Sequence, residues 1–174
     1  VVNESAKDRA ATKEEMLVGI KGVDAMLSIL TDKVDAEIMD IGLPSLKIIA
    51  NFAVGFDNID VPAAKQRNII VTNTPGVLTN TVAEHTFSLM LSIAHRIAEA
   101  DQYARGGRYS AWGPELLLGS DVSGKTLGIV GLGRIGSRVA HHAVKGFDMK
   151  VVYNDVKLNP EFEKEFGAVY VESL

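Results

Sequence analysis

The run Gly131-Leu132-Gly133-Arg134-Ile135-Gly136 sets three glycines at G-x-G-x-x-G spacing. That spacing suits recognition of a pyrophosphate by bare backbone. The first glycine permits a sharp turn out of a strand, the second lets phosphate approach where a Cβ would stand, and the third lets helix and strand pack closely. The unpaired N–H groups and the positive end of the helix dipole then face the anion. Asp155 stands 19 positions after Gly136, close to the ~20 of the dinucleotide-binding fingerprint. A carboxylate there accepts hydrogen bonds from the adenosine ribose hydroxyls and repels a 2′-phosphate, so NAD is expected in preference to NADP. The plainer alternatives are a tight turn at the glycines and a strand-end turn residue at Asp155.

Such a loop needs a strand before it and a helix after it, and the flanks supply both. Residues 125–130 read as a buried strand, the following helix carries Val139, Ala140, Ala143 and Val144 on one face, and "MKVVYND" (149–155) reads as the next parallel strand. A third strand is expected at 168–172. Upstream, Thr12 and Glu15 have capping-box spacing for a helix to about Lys21. Strands are expected at 24–30, 46–52 and 69–73, with a helix at 35–42 stopped by Gly42. Asp60 should cap another helix with Pro62 in its first turn, ending near Asn68. Thr81 and Glu84 repeat the capping-box spacing and should open one long helix to about Arg105, apolar on every side and so buried on every side. A glycine-rich arm with Trp112 follows (105–121).

Alternating strands and helices imply an α/β fold with parallel sheets. The boundary is placed near Pro75: a first domain over 1–75 and a nucleotide-binding domain over 76–174. In the doubly wound order the strand of Leu127 to Val130 is central, with an open apolar edge where a fourth strand would pair.

Composition narrows the function classes. The apolar fraction of 47% and charged fraction of 23% are those of an ordinary globular protein. Net charge is −4, from 22 acidic and 18 basic residues with no basic stripe, which argues against a nucleic-acid partner. Without cysteine there is no disulfide, thiolate nucleophile or cysteine-ligated zinc, which fits a cytoplasmic setting; no metal ligand set is assigned. No apolar run approaches the ~20 residues of a membrane span, and no signal peptide is evident. The chain opens "VVNESAKD", without methionine, and is expected to be a piece of something longer.

Four blocks carry a more specific signal: "NFAVGFDNID" (51–60), "VTNTPGVLTNTVAEHT" (71–86), "GRYSAWGPELLLGSDVSGKTLGIVG" (107–131) and "VGLGRIG" (130–136). Together they resemble the D-isomer-specific 2-hydroxyacid dehydrogenases, most closely the glyoxylate/hydroxypyruvate reductase branch. The resemblance implies a flavodoxin-like substrate domain portion followed by a partial Rossmann domain. It implies NAD as cofactor and a small 2-keto or 2-hydroxy acid as substrate. It places the substrate carboxylate on the backbone amides of Val54 and Gly55, with Leu30 as a pocket wall. Gly131, Leu132, Gly133, Arg134, Ile135 and Gly136 would bind the cofactor, with Arg134 and Ile135 over the pyrophosphate and Asp155 over the ribose. The long helix and the Trp112 arm resemble dimerisation elements, implying a homodimer. Val82 sits where close relatives often carry threonine. By itself, "AVGFDNID" also reads as a strand end with a helix cap.

The family's catalytic arginine, glutamate and histidine would lie beyond Leu174, so no catalytic residue is assigned and this chain alone is expected to be inactive. His85, His95, His141 and His142 are read as structural or surface residues. D-lactate, phosphoglycerate or formate dehydrogenase chemistry, or a non-catalytic NAD-sensing module like the corepressors of this fold, are the competing expectations.

Overall fold

A computed structural model describes residues 9–173. The chain divides into two compact units, Val1–Val77 and Leu78–Leu174.

In the first unit a helix, α1 (Lys13–Gly19), opens with the expected capping box. Glu15 N–H donates to Thr12 Oγ1, and Thr12 N–H donates to the Glu15 carboxylate. Strand β1 (Ala25–Ser28), helix α2 (Ala36–Gly42), strand β2 (Ile48–Asn51), helix α3 (Val61–Gln66) and strand β3 (Ile70–Thr72) follow. The strands form a parallel sheet in the order β1-β2-β3, with Ile48 opposite both Ala25 and Ile70. Asp35 and Asp60 cap α2 and α3 by accepting from Ile38 and Ala63 N–H. The core gathers Ile20, Val34, Ile38, Met39, Leu46, Ile49, Ile59 and Ile69.

The second unit contains α4 (Thr79–Ala94), α5 (Ile97–Arg105), β4 (Thr126–Val130), α6 (Arg134–Phe147), β5 (Lys150–Asn154), α7 (Pro160–Phe166) and β6 (Val169–Tyr170). Its parallel sheet runs β4-β5-β6, and its register pairs Val130 with Asn154. Val139, Ala140 and Ala143 of α6 pack with Val151 and Tyr153 of β5 and with Ala83 and Phe87 of α4. Leu127 and Ile129 turn toward this core, whereas Thr126, Gly128 and Val130 are exposed. Among the described residues β4 pairs on one side only.

Two expectations about the long helix fail. It starts at Thr79, with Leu78 as a cap residue that makes no side-chain cap bond, so Thr81 and Glu84 form no capping box. The nearest helix breakers are Pro75 and Gly76; nothing at 78–80 stops the helix from propagating back, and Val82 N–H bonds to Leu78 O. Nor is it one helix. Arg96 takes a left-handed conformation (φ 53°) between α4 and α5. The returning arm holds that break: Ser120 N–H donates to Ala94 O at 2.8 Å and Arg96 donates to Leu118 O, while its guanidinium pairs with Glu99. A Cβ at Gly119 would collide with the Ala94 carbonyl, so the arm approaches closely only as glycine. Within the single chain the burial of α4 is partial. Only Ala83 and Phe87 of α4 are buried, and Ile93 is 79% exposed. No helix among the described residues is long and apolar enough to cross a membrane.

Helix α6 carries a half-buried cluster of Arg138, His141 and His142 whose Nε, Nδ1 and Nε2 atoms have no hydrogen-bond partner among the described residues. His142 packs edge-on to Phe87. Burial pushes its pKa below the ordinary 6.5, the charges of Arg138 and His141 add to this, and Glu84 opposes it. A histidine so depressed takes up a proton more readily unfolded than folded. Its contribution to stability is therefore complete above pH 6.5 and declines as pH falls toward the lowered value. Denaturant melts across this range are expected to show that loss, and His142→Gln to flatten it; an equal pH slope in the variant would assign the loss to other groups.

Candidate functional site

At the end of β4 the chain turns at Gly131, whose φ of 94° suits glycine. Gly133 follows in an extended conformation as the cap residue of α6, which has no side-chain cap. Space beside Gly133 is open: a Cβ there would meet nothing within 4 Å. At Gly136 a Cβ would drive into the Gly131 carbonyl oxygen and lie 3.2 Å from its carbon. One glycine of the run is thus required by the turn, one by the fold, and one leaves a cradle unfilled. Arg134 is exposed, Ile135 packs partly against the core, and the Leu132 side chain is buried within it. Ser137 Oγ donates to Leu132 O and its N–H to Gly133 O, closing the first helical turn.

Asp155 lies directly after β5, beside this turn, because β5 pairs with β4 in register. One carboxylate oxygen accepts from Leu132 N–H at 2.5 Å. Tyr170 donates its hydroxyl proton to the Asp155 carbonyl, and Asn154 Nδ2 donates to Val171 O. Asp155 is therefore tied to the glycine turn through its side chain and to the β6 end through its backbone. The Leu132 N–H, counted among the cofactor-binding groups by sequence, is engaged by Asp155 instead of standing free. The residues fit a dinucleotide: a cradle without Cβ at Gly133, an uncapped helix start, and an acidic side chain at the adjoining strand end.

In the first unit the loop after β2 carries Val54 and Gly55, both half-buried. Leu30, exposed in the loop after β1, has its Cδ2 4.0 Å from where a Gly55 Cβ would stand; Asp57 Oδ2 is 3.8 Å from the same point. Both loops leave the carboxyl ends of parallel strands, where open α/β sheets bind ligands. The sequence-derived substrate residues Leu30, Val54 and Gly55 thus converge. Among the described residues the N–H groups of Val54, Gly55 and Phe56 have no acceptor.

Asn58, within reach of the loop by sequence, does orient it, whereas sequence reasoning missed Asn51 and Asn73 beneath it. Asn51, buried, donates to Gly55 O at 2.8 Å and accepts from Ser28 Oγ at 2.9 Å. Asn58 exchanges bonds with Asn51 and donates to Ile29 O and Asp32 O, linking the two loops. Asn73 donates to Val54 O at 2.8 Å. Asn51 lies inside the quoted "NFAVGFDNID" block, where its side-chain amide was the available signal. Among the described residues, no group of three His, Asp or Glu side chains is arranged to hold a metal.

Residues 2–166 match the family described as D-isomer specific 2-hydroxyacid dehydrogenase, catalytic domain. The chain is 50% identical over 167 residues to a glyoxylate reductase of Korarchaeum cryptofilum, covering 95% of this chain and 50% of that protein. To a glyoxylate reductase of Thermococcus litoralis it is 48% identical over 168 residues, covering 94% and 50%. A solved protein from Thermus thermophilus matches with TM-score 0.86 at 42% identity, covering 94% of this chain and 50% of that one. D-lactate dehydrogenase from Aquifex aeolicus, complexed with NAD and lactic acid, matches with TM-score 0.77 at 33% identity, covering 90% and 45%. The chain spans about half the length of the curated relatives it matches. With its two α/β units, each built on a parallel sheet, and its glycine turn, this chain belongs to the D-isomer-specific 2-hydroxyacid dehydrogenase family.

Proposed function

We propose that the protein is an NAD-dependent oxidoreductase acting on a small 2-keto or 2-hydroxy acid, with glyoxylate or hydroxypyruvate as substrate. Residues 1–75 belong to its substrate domain and 76–174 to its nucleotide domain. The observation that carries this reading is the coupling of the glycine turn to Asp155. Bound NAD(H) supplies the hydride donor or acceptor. The chain's own residues position the reactants. Gly133 leaves room for the pyrophosphate, the first turn of α6 offers N–H groups, and Arg134 and Ile135 flank them. Asp155 has one carboxylate oxygen on Leu132 and a second to offer a ribose hydroxyl. Val54 and Gly55 present N–H groups to the substrate carboxylate, and Leu30 walls the pocket. A cytoplasmic setting belongs to the same proposal, supported by the cysteine-free sequence.

The test is turnover by the full-length protein, followed by loss of nicotinamide absorbance. NADH with glyoxylate or hydroxypyruvate is expected to react faster than NADH with pyruvate, and NAD with formate is expected to give no gain of that absorbance. No reaction with any keto acid, despite tight NADH binding, would favour a non-catalytic NAD sensor.

The partner we propose is a second copy of the chain, seated on α4, α5 and the arm. Leu89, Ile93 and Ile97 are exposed there, as are Tyr109, Trp112 and Leu118 on the arm. Burial of one such side chain stabilises by roughly 1.5–3 kcal/mol, so several left in water favour association. Met90 is packed against the core and is not an outward contact. Ile93→Glu with Ile97→Glu is expected to yield folded monomers by light scattering at micromolar concentration. A dimer that survives both charges would place the interface elsewhere.

A further inference from the structure

Three consecutive carbonyls in the loop after β2 are each held by a donor. Ala53 O accepts from Thr74 N–H at 2.9 Å, Val54 O from Asn73 Nδ2 at 2.8 Å, and Gly55 O from Asn51 Nδ2 at 2.8 Å. A trans peptide is planar, with its C=O and the following N–H on opposite sides. Holding the Ala53 carbonyl therefore sets the direction of Val54 N–H. Holding the Val54 carbonyl sets Gly55 N–H, and holding the Gly55 carbonyl sets Phe56 N–H. Those three N–H groups have no acceptor among the described residues.

The Asn51 donor is itself anchored. Asn51 is 2% exposed, and its Oδ1 accepts from Ser28 Oγ and from Asn58. Its Nδ2 is thereby committed to Gly55 O and Asn58 Oδ1. Asn73 reaches the loop from just beyond β3, so all three strands of the first sheet contribute to the support. Backbone dipoles held in this way can meet a carboxylate without reorganising on binding.

We propose that Asn73 and Asn51 are positioning residues for substrate binding, and that the carboxylate cradle includes a third amide, Phe56 N–H, oriented by Asn51. This rests on the reading that Val54 and Gly55 hold the substrate carboxylate. Asn73 acts on Gly55 N–H and Asn51 on Phe56 N–H, so their loss should weaken substrate binding without altering cofactor binding.

The test uses the full-length protein and Asn73→Asp, which keeps the side-chain shape but replaces the donor to Val54 O with an acceptor. KM for glyoxylate is expected to rise about tenfold or more, the size of one impaired bond to a charged group. KM for NADH and the melting temperature should stay at wild-type values, a split that general loosening of the fold would not produce. Glyoxylate KM unchanged in a normally melting variant would overturn the role of Asn73. Should that variant not fold, the wild-type protein decides by amide NMR during titration with oxamate, an unreactive keto-acid analogue. Downfield shifts of the Val54, Gly55 and Phe56 amide protons are expected. Shifts at Val54 and Gly55 without Phe56 would overturn the three-amide cradle. Competition by oxamate against glyoxylate with none of the three shifting would instead remove the carboxylate from this loop, and the underlying reading with it.

Discussion

Gly133→Val is expected to leave the melting temperature nearly unchanged and to weaken NADH binding by about 100-fold or more, whereas Gly136→Ala should destabilise the fold before any cofactor is added. The two glycines stand three residues apart in one motif, and their surroundings differ. Beside Gly133 a side chain meets open space, and its backbone is extended, a conformation valine adopts readily. Valine there fills the volume through which a pyrophosphate must come to reach the N–H groups of α6. The cost thus falls on binding. At Gly136 even a methyl group drives into the Gly131 carbonyl, and Ile129 Cγ2 lies 3.4 Å from it. Backbone on the opposing side cannot rotate away as a side chain does. Relief requires α6 to slide from β4, and overpacking of this kind costs about 1–3 kcal/mol. In a chain of this size that corresponds to roughly 2–12 °C in melting temperature. Calorimetry and NADH fluorescence titration on both variants separate the outcomes. An NADH affinity within threefold of wild type for Gly133→Val would show that the cradle is not where the phosphates lie.

Asp155→Ser combined with Val156→Arg is expected to lower kcat/KM with NADH by about 100-fold and to narrow or reverse the preference over NADPH, through loss of ribose hydrogen bonds and gain of a cation for the 2′-phosphate. Val156 is 96% exposed, so the arginine enters without disturbing the core. The structure adds a complication that spacing alone does not reveal. Asp155 also receives Leu132 N–H, so serine removes a brace of the glycine turn as well as the proposed ribose ligand. Asp155→Asn separates the two effects. It keeps an oxygen for Leu132 N–H but discards the negative charge, so NADPH use should improve with little change in melting temperature. Equal discrimination against NADPH in Asp155→Asn would mean that steric exclusion, not charge, sets the preference.

The T-x-x-E spacing occurs twice, at Thr12–Glu15 and Thr81–Glu84, with different outcomes. At Thr12 both reciprocal bonds form, and the helix begins there. At Thr81 the helix has already begun at Thr79. A capping box starts a helix only where the preceding residues refuse helical geometry, and the refusal near Thr81 comes farther back, at Pro75 and Gly76. Asp60 with Pro62 combines both signals at one place, and α3 starts accordingly. Arg96 offers no local warning at all. It sits in a stretch without glycine or proline, and the break it makes depends on Ser120 and Leu118, more than 20 residues away.

The alternation of strands and helices, the parallel sheets, the site of the glycine turn and the reach to Asp155 were all determined by the sequence itself. Each rests on short-range rules: side-chain period, helix caps, and the freedom of glycine to turn. Val54 and Gly55, the proposed substrate residues, were singled out through the resemblance to a family, and Leu30 with them. Only the tertiary structure decided which groups in those segments are spent internally and which remain to bind. Leu132 N–H is taken by Asp155, 23 positions along the chain; Val54 O is taken by Asn73, 19 positions along. Adjacent parallel strands bring their carboxyl ends side by side whatever the length of chain between them. A hydrogen bond across such ends is fixed by strand register, and register is a property of the packed sheet.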